Sequence, residues 1–297
     1  MKTIDAARGY WIEILSSHLE DKHLRNKHTD CPICGGTDRY RFDNKDGNGT
    51  SICSNCGSKD GMQLYMDVTG LDFKTAAKDI DKMLGNTDLK KDIPTPKDNT
   101  KILSFIRNNL VELEENDEVQ QYLNNRKLTT YDNKHFRKLV NFNYYDDGKV
   151  IGSSDCMVAC ITNDKNERIG YHVTYVKDGK KAGFDSPKKI FGASQGGSIK
   201  LGKTDEVLAL AEGIETAIAY TQETNITCWA SISANNMKSF ISPEQVSHLI
   251  IVADNDESFT GQEAAYILAK KMKSKGLHVI IEIPDKTGYD YLDMLNI

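Results

Sequence analysis

Three acidic residues follow two apolar runs in the last third of the sequence. Asp254 and Asp256 come directly after the run 249–253, and Glu212 follows the run 206–211. Short apolar runs bounded by polar residues are typical of strands buried on both faces of a parallel sheet, and ligands bind at the carboxyl ends of such strands. Carboxylates brought together at that edge repel one another unless a cation lies between them. The pattern therefore predicts a divalent metal site, and the oxygen ligands favour Mg²⁺.

Two more acidic residues, Asp290 and Asp293, lie near the end of the chain and are expected at the same sheet edge. One of them could join the metal site, or both could cap a short C-terminal turn. Asp256 or Ser258 could likewise cap the helix that follows them. The alternative to a metal site is a set of unrelated surface acids.

Two CxxC pairs in the first quarter of the sequence predict a second metal site. Cys31 and Cys34 form the first pair, and Cys53 and Cys56 form the second after 18 intervening residues. Each pair offers two thiolates, and this spacing is typical of tetrahedral Zn²⁺. The alternating segment 39–42 and the turn residues after it indicate a hairpin between the pairs. We expect a zinc ribbon whose small core depends on one structural metal ion.

The hairpin itself is a candidate for contact with nucleic acid. Arg39 and Arg41 are expected on one face, with Tyr40 and Phe42 on the other. Basic and aromatic side chains on an exposed hairpin suit single-stranded nucleic acid. Alternatively, these side chains only cover the small domain.

The composition is that of a soluble globular protein. The 297 residues are 39% hydrophobic and 27% charged, and the net charge of −5 excludes a uniformly basic nucleic-acid binder. No apolar run approaches the roughly 18 residues of a membrane span, and the N-terminus has no signal-peptide core. Cysteines in CxxC pairs fit a reducing compartment, so we expect a cytoplasmic protein that does not bind membranes. Cys156, Cys160 and Cys228 lack ligand spacing and are interpreted as buried packing residues.

Strand and helix patterns alternate through the last third, which predicts a three-layer domain around a parallel sheet. The predicted strands are 206–211, 226–231, 249–253 and 278–283, and the predicted helices are 214–222, 236–241 and 261–275.

The earlier part of the chain predicts other elements. Helices are expected at 1–25, 61–70 and 73–84, and a helical region runs from Ile102 on to Leu123. From Phe142 the pattern becomes strand-rich and indicates a hairpin or small antiparallel sheet.

The fold class is therefore α/β, with a small zinc ribbon, a mixed α+β middle region and a C-terminal parallel-sheet domain. The predicted domains are 1–85, 101–204 and 205–297, with a linker at 86–100.

Five lysines within residues 177–189 are expected beside the predicted carboxylate site. They are candidates for contacts to a triphosphate or a nucleic-acid backbone, or they form a solvated loop. The segment Gly197–Thr204 matches the P-loop pattern. A strand-like run follows it where a P-loop needs a helix, so we do not expect a P-loop motor.

These motifs together resemble the Toprim domain that bacterial-type primases, topoisomerases and some nucleases share. The zinc ribbon ahead of it narrows the resemblance to primases, and most closely to the primase portions of phage, satellite-phage and plasmid replication proteins, without their helicase domain. The matching segments are Cys31 to Asp43, Tyr122 to Arg126, Lys181 with Ala182, Glu212 to Ala217, Asp254 to Asp256, Gly261 with Ala264 and Ala265, and Asp290 to Asp293.

The resemblance implies a DNA primase that makes short RNA primers de novo on single-stranded DNA by two-metal nucleotidyl transfer. Glu212, Asp254 and Asp256 would hold Mg²⁺ or Mn²⁺, and Asp290 and Asp293 would complete the catalytic acids. The residues that hold nucleoside triphosphates and template would be Arg126, His172, Lys181 and Lys188, with Arg39 and Arg41 of the ribbon.

The same resemblance assigns the zinc ribbon a part in selecting the initiation site and holding the first dinucleotide. Many relatives continue into a helicase, whereas this sequence ends at Ile297. A separate replicative helicase is therefore expected as a partner.

Other functions use the same motifs. A Toprim nuclease would activate water with the same carboxylates, and a replication adaptor would bind nucleic acid without catalysis. A topoisomerase fits least well, because the chain has no room for a strand-passage gate.

Overall fold

The structure is a computed structural model, and it describes residues 3–85, 99–146, 148–257 and 259–294. Most of the predicted linker, together with Ser258, lies outside the described residues. The chain divides into two compact units, Met1–Asp98 and Asn99–Ile297. None of the helices in the described segments is both long enough and apolar enough to cross a membrane.

The first unit is a small antiparallel sheet packed against short helices. Its strands, in spatial order, are β1 (Tyr40–Phe42), β2 (Ser51–Cys53) and β3 (Gly57–Lys59). Its helices are α1 (Thr3–Ala7), α2 (Trp11–Ser16), α3 (Gly61–Thr69) and α4 (Phe73–Leu84). Asp60 and Asp72 begin α3 and α4 as N-caps, since each side chain accepts a backbone N–H of the first turn. Large buried side chains such as Trp11 and Tyr65 form the core.

The prediction of a continuous helix over 1–25 is wrong. The segment forms α1, α2 and a 3₁₀ turn at Asp21–Leu24. Gly9 interrupts the helix because it adopts φ +87° and donates its N–H to the carbonyl of Gly47 at 2.7 Å. The predicted helices 61–70 and 73–84 are confirmed to within one residue.

The second unit begins with α5 (Thr100–Asn109) and α6 (Glu118–Asn125), which are separate helices. The expected helical continuity fails between them because Leu110 is extended and Val111 pairs with Lys138 of the following sheet. Asp117 then begins α6 as its N-cap through the N–H groups of Val119 and Gln120. An antiparallel sheet follows, and it starts at Phe136, earlier than predicted. Its strands are β4 (Phe136–Asp146), β5 (Lys149–Thr162), β6 (Arg168–Lys177), β7 (Lys180–Lys181) and β8 (Lys188–Gly192), in the order β4-β5-β6-β7 with β8 also paired to β6.

The C-terminal part forms the predicted parallel sheet. Its strands are β9 (Val207–Ala211), β10 (Cys228–Ala230), β11 (His248–Val252) and β12 (His278–Glu282), in the order β10-β9-β11-β12. Its helices are α7 (Ile214–Thr224), α8 (Ala234–Ser239), α9 (Thr260–Ser274) and the short α10 (Tyr291–Met294). Every predicted strand and helix of this region is present, with bounds shifted by at most two residues. The P-loop-like segment leads into β9 and not into a helix, as expected.

Alternate residues of the central strands pack on opposite sides of the parallel sheet. Ala209 and Ile250 lie in the core on the α7 side, whereas Leu208 and Leu249 lie in the core with α8 and α9. The core on the α7 side also includes Met157 and other residues of the antiparallel sheet. Both sheets of the second unit therefore share one hydrophobic core, which fixes the position of one sheet against the other.

The structure corrects one interpretation of the cysteines outside the CxxC pairs. Cys156 and Cys228 are buried, as expected, but Cys160 is exposed.

Candidate active site and metal centres

The cysteines of the two CxxC pairs form a compact cluster in the first unit. Sγ of Cys31 lies 3.8 Å from Sγ of Cys56, and Sγ of Cys34 lies 3.9 Å from Sγ of Cys53. All four sulfur atoms lie within 4.8 Å of one another. Tetrahedral zinc with Zn–S bonds of about 2.3 Å places its sulfurs about 3.8 Å apart. The four thiols thus have the geometry of a structural zinc site.

The hairpin arginines belong to the same unit. Arg39 is exposed and Arg41 is partly exposed, whereas Tyr40 and Phe42 are each 1% exposed and lie in the core. The predicted alternation is confirmed. The two aromatic rings are covered, however, so they are unavailable for stacking on bases. Of these four residues, the arginines remain candidates for contact with nucleic acid.

Glu212 and Asp254 lie at the carboxyl ends of neighbouring strands of the parallel sheet. Glu212 directly follows β9, and Asp254 follows β11 after Ala253. The chain passes from β9 to β10 on one side and then to β11 on the other, so the strand order reverses between β9 and β11. Such a switch point opens a crevice at the strand ends where ligands bind in α/β sheets.

The Asp254 carboxyl group is strongly perturbed by its surroundings. Burial, followed by the charges of Glu212, Asp290 and Asp256, raises its pKa to about 7. Its Oδ1 atom is buried and has no hydrogen-bond partner among the described residues. The pKa of Glu212 is also raised, first by burial and then by Asp256. A bound cation would relieve both the burial cost and the repulsion.

Asp256 is turned toward the start of α9. Its carboxylate accepts the N–H of Gly261 at 3.0 Å and the N–H of Thr260 at 3.3 Å. These are N–H groups that the first turn of a helix leaves unpaired. The capping interpretation is therefore confirmed for Asp256, although its charge still acts on Glu212 and Asp254.

Asp290 and Asp293 cap each other's backbone at the start of α10. The N–H of Asp293 donates to Oδ1 of Asp290 at 2.9 Å, and the N–H of Asp290 donates to Oδ2 of Asp293 at 3.1 Å. Asp290 also lines a cavity with Glu212 and Asp254, and burial raises its pKa. The structure thus brings Asp290 into the acidic cluster, whereas Asp293 holds the turn that positions Asp290.

This cavity, which we call the acidic cavity, has a volume of 210 Å³. It brings together predicted site residues from the end of α6, from the antiparallel sheet, from the carboxyl edge of the parallel sheet and from the start of α10. The predicted residues that line it are Arg126, His172, Lys181, Lys188, Glu212, Asp254 and Asp290. The cavity is also lined by Glu215, Thr216 and Ile232, for which the sequence predicted no role.

The side chains that the antiparallel sheet contributes to the acidic cavity all lie on one face of that sheet. Lys188 lies opposite Thr174 in the β6/β8 ladder, and Lys181 lies opposite Val176 in the β6/β7 ladder. His172 is two residues before Thr174 on β6, and residues two apart on a strand point to the same face. The register therefore brings His172 and both lysines to the side that packs toward α7. The other cations of the lysine-rich segment lie elsewhere, with Lys177 and Lys180 exposed and Lys189 over the ring of Tyr144 at 4.5 Å.

Glu215 on α7 joins these elements. Its side chain is buried, and its carboxylate accepts the hydroxyl of Tyr122 at 2.6 Å and the ammonium group of Lys188 at 3.1 Å. The Lys181 ammonium group lies 3.8 Å away. Burial alone raises the pKa of the Glu215 carboxyl, but Lys188, Lys181 and the Tyr122 hydroxyl lower it overall, well below its usual range. Glu215 is therefore ionised and holds two lysines at the cavity.

Two further polar groups in the acidic cavity lack partners within the described part of the chain. They are Nε of Arg126 and Nδ1 of His172, and both atoms are buried. Burial and the neighbouring Lys188 lower the pKa of His172 to about 4, so its imidazole is neutral at pH 7. Buried polar atoms are nearly always hydrogen-bonded in folded proteins, so these atoms are available to a ligand.

The backbone at the cavity is also strained. Ile232 adopts φ +78°, and its N–H donates to the carbonyl of Glu212 at 2.8 Å. Left-handed backbone is unfavourable for a β-branched residue and costs about 1–3 kcal/mol. Nothing in the local sequence signals this conformation, which the surrounding contacts impose.

The acidic cluster fits a hydrated divalent cation. The orphaned Oδ1 atom of Asp254 and the mutual repulsion of four carboxyl groups favour a positive ion there. Among the described residues, the four cysteines are the group whose ligand atoms all lie within 4.8 Å of one another. The carboxylate oxygens of the acidic cluster are therefore more widely spaced than the cysteine sulfurs. Mg²⁺ suits such an open site, because it keeps several waters and takes one or two carboxylates directly.

Three family models match the chain. A Toprim domain matches residues 207–296, and a zinc-binding domain of primase-helicase matches residues 26–62. A domain of unknown function (DUF7146) matches residues 99–201, the region of α5, α6 and the antiparallel sheet.

Solved primase structures are similar to the chain at low identity. The Aquifex aeolicus primase (zinc-binding and RNA polymerase domains) is 16% identical, over 100% of this chain and 82% of its own, with a TM-score of 0.40. The primase fragment of the bacteriophage T7 primase-helicase protein is 15% identical, over 91% of this chain and 94% of its own, with a TM-score of 0.40. A DnaG primase catalytic domain bound to single-stranded DNA is 12% identical, over 67% of this chain and 75% of its own, with a TM-score of 0.45.

Proposed function

We propose that this chain, which combines a zinc ribbon of primase type with a Toprim domain, is a DNA primase. It would make short RNA primers de novo on single-stranded DNA from nucleoside triphosphates, for the replication of a phage or other mobile element. A separate replicative helicase would open the duplex ahead of it.

The observation that carries this proposal is the composition of the acidic cavity. Carboxylates of Glu212, Asp254 and Asp290 line one part of it, and the cationic groups of Lys188 and Arg126 line another. Nucleotidyl transfer needs this combination, because a triphosphate must be held while negative charge is stabilised on the oxygens of the reacting phosphate. A purely structural ion-pair network would not leave buried polar atoms of Asp254 and Arg126 unpaired among the described residues.

The cationic residues would bind and orient the nucleotide. Lys181 and Lys188 are held by Glu215 and offer ammonium groups to phosphate oxygens. Arg126 lies just past α6, and its Nε has no hydrogen-bond partner among the described residues. A guanidinium group can hold a phosphate through two hydrogen bonds. The neutral imidazole of His172 could hydrogen-bond a hydroxyl or base atom without adding charge.

The acidic residues would hold Mg²⁺ or Mn²⁺. Glu212 and Asp254 would be direct ligands, while Asp256 and Asp290 would contribute charge or bind through water. When bound, the divalent ions would supply Lewis-acid stabilisation of the triphosphate and activation of a 3′-hydroxyl. Until then, the pKa of Asp254, which is raised to about 7, allows its carboxyl group to carry a proton near neutral pH.

The zinc ribbon would act on the template. Its exposed Arg39 and partly exposed Arg41 are suited to backbone phosphates. In this role the ribbon would help select the initiation site and retain the first dinucleotide.

The experiment is an incubation of the full chain with Mg²⁺ or Mn²⁺, labelled nucleoside triphosphates and unprimed single-stranded templates of mixed sequence. The expected result is a set of short labelled products that depend on template and metal and are lost with Glu212→Gln. Labelled template in a parallel reaction tests the nuclease alternative. Shortened template without new product would replace the primase proposal with a Toprim nuclease, and binding without either reaction would replace it with a replication adaptor.

A further inference from the structure

A second cavity lies on the opposite face of the antiparallel sheet from the acidic cavity. It has a volume of 260 Å³ and is lined by one side of α5 and by the beginning of β6. Tyr171 and His172 are consecutive on β6, so their side chains point to opposite faces. Tyr171 packs in the core that contains Ile106 of α5, whereas His172 lines the acidic cavity.

The charge of this second cavity is positive. Arg107 of α5 and Arg168 of β6 line it, and none of its lining residues is acidic. Both side chains are exposed, and in the described part of the chain neither arginine is paired with a carboxylate. Two guanidinium groups at one concave surface repel each other, and an anion between them would remove that repulsion.

Tyr171 adds a buried donor at the same place. The residue is 1% exposed, and its hydroxyl is buried without a hydrogen-bond partner among the described residues. The guanidinium carbon of Arg168 lies 5.1 Å from the centre of the tyrosine ring, and the charges of Arg168 and Arg107 both act on the hydroxyl. An oxyanion in the cavity could accept from the hydroxyl and from both arginines, and Ser104 also lines the cavity.

We propose that Arg107, Arg168 and Tyr171 form a phosphate site that holds the backbone of single-stranded DNA outside the acidic cavity. Phosphate matches the donors because guanidinium groups bind it through paired, charge-assisted hydrogen bonds. The choice of DNA over another phosphate compound rests on the proposed function, in which the template is the large polyanion. The site would anchor the strand on the far face of the sheet that carries His172, Lys181 and Lys188.

The test measures DNA binding by the full chain in the absence of Mg²⁺ and nucleotides. Fluorescence anisotropy of labelled single-stranded oligonucleotides gives the affinity at several KCl concentrations. The Arg107→Gln/Arg168→Gln double variant is compared with a Lys270→Gln/Lys273→Gln double variant. Both lose two positive charges, but the lysines are exposed on α9 and do not line the second cavity. Circular dichroism melts of both variants report whether folding is intact.

The arginine variant is expected to bind about tenfold more weakly at low salt, for all oligonucleotide sequences. Its plot of log affinity against log salt concentration should be less steep by about 1, because phosphate contacts are lost. The α9 variant should keep the wild-type slope. Equal slopes for the two double variants would overturn the proposal.

Tyr171→Phe gives a second, non-disruptive test. It keeps the ring in the core and removes a hydroxyl that has no protein partner in the described segments, so the free energy of unfolding should be unchanged or higher. DNA binding should weaken about threefold with an unchanged salt slope, because one neutral hydrogen bond is lost. Wild-type affinity in this variant would contradict the inclusion of the hydroxyl in the site.

One comparison distinguishes a DNA site from a site for small phosphate compounds. A second comparison distinguishes failure of the phosphate site from failure of the proposed primase function. The difference in DNA affinity between the wild type and the arginine double variant measures binding at this site. If inorganic phosphate or ATP abolished that difference at a concentration equal to the concentration of DNA phosphate groups, the assignment to a DNA strand would be wrong. If the wild type made no primers but the arginine variant changed the slope, the proposed function would fail and the phosphate site would stand. Primer synthesis by the wild type with equal slopes in both variants would overturn the phosphate site and leave the proposed function standing.

Discussion

The hydroxyl of Tyr122 donates a 2.6 Å hydrogen bond to the buried carboxylate of Glu215, and this contact joins α6 to α7 across 93 residues of sequence. The same carboxylate accepts from Lys188 and lies 3.8 Å from Lys181. Because both lysines come from strands of the antiparallel sheet, Glu215 fixes the position of that sheet's cations relative to the acids of the parallel sheet.

Replacing Glu215 with Gln should impair nucleotide binding more than the chemical step. The amide keeps the shape of the side chain but loses the charge that holds Lys181 and Lys188, so we expect KM for nucleoside triphosphates to rise about tenfold with a smaller change in kcat. Steady-state primer synthesis over a range of nucleotide concentrations measures both parameters. Glu223→Gln, at an exposed position of the same helix, is the matched control and should behave as wild type. An unchanged KM in Glu215→Gln would show that the two lysines do not hold the triphosphate.

His172 should make the stability of the second unit depend on pH. Its folded pKa of about 4 lies below the ordinary value of 6.5, so the contribution of the neutral ring is fully present above pH 6.5 and is lost as the pH falls toward 4. Between pH 7 and pH 5 the free energy of unfolding should fall by about 2 kcal/mol more in the wild type than in His172→Gln.

The measurement is urea unfolding followed by Trp229 fluorescence in a Trp11→Phe background, since these are the two tryptophans of the chain. Trp229 lies in the second unit and reports on its unfolding. Equal pH dependence with and without the His172→Gln change would mean that this histidine becomes protonated at pH 5 in the folded protein as readily as in the unfolded chain.

Loss of one zinc ligand should unfold the first unit and leave the second intact. Zinc content should be about one ion per chain in the wild type and in Cys160→Ser, whose thiol is exposed and lies outside the cluster, but near zero in Cys53→Ser. Fluorescence of Trp11, buried in the core of the first unit, should show the unfolding in a Trp229→Phe background. Native Trp11 emission from zinc-free Cys53→Ser would contradict a metal-dependent core.

The two C-terminal aspartates should respond differently to substitution. Asp290 lines the acidic cavity, so Asp290→Asn should reduce primer synthesis about tenfold or more by removing a charge near the metal site. Asp293→Asn keeps an oxygen that can accept the N–H of Asp290 and should retain activity within about twofold. Primer synthesis and thermal melting of both variants, measured side by side, show whether the loss of activity is specific to Asp290→Asn. Equal losses of activity would place Asp293 in the catalytic group, as the sequence motif alone predicts.

Features that depend on a single strand or turn were predictable from the sequence. The apolar runs before Glu212 and Asp254 predicted β9 and β11, because strands buried on both faces must be apolar throughout. The CxxC pairs predicted the cysteine cluster, because two tight turns are enough to assemble four ligands. The carboxyl ends of parallel strands share one edge, which brought Glu212 and Asp254 together.

Contacts that join distant elements were not predictable from the sequence. The role of Glu215 depends on Tyr122 and Lys188, which no local periodicity connects to it. The turning of Asp256 toward α9 follows from the unpaired N–H groups of that helix, which compete with a metal for the same oxygens. The left-handed backbone of Ile232 is opposed by its own side chain, so tertiary contacts must impose it. The signal that could have indicated Glu215 is its position three residues after Glu212, on the first turn of the helix that follows.

The most direct measurement is de novo primer synthesis on unprimed single-stranded DNA by Asp254→Asn, compared with Asp285→Asn. The first change removes the carboxylate with the orphaned Oδ1 atom, and the second removes an exposed carboxylate of the loop after β12 that does not line the acidic cavity. If the acidic cluster catalyses nucleotidyl transfer, Asp254→Asn should lose at least about 100-fold in rate while Asp285→Asn stays within about twofold of the wild type. Primer synthesis by Asp254→Asn at the wild-type rate would contradict the assignment of catalysis to this cluster.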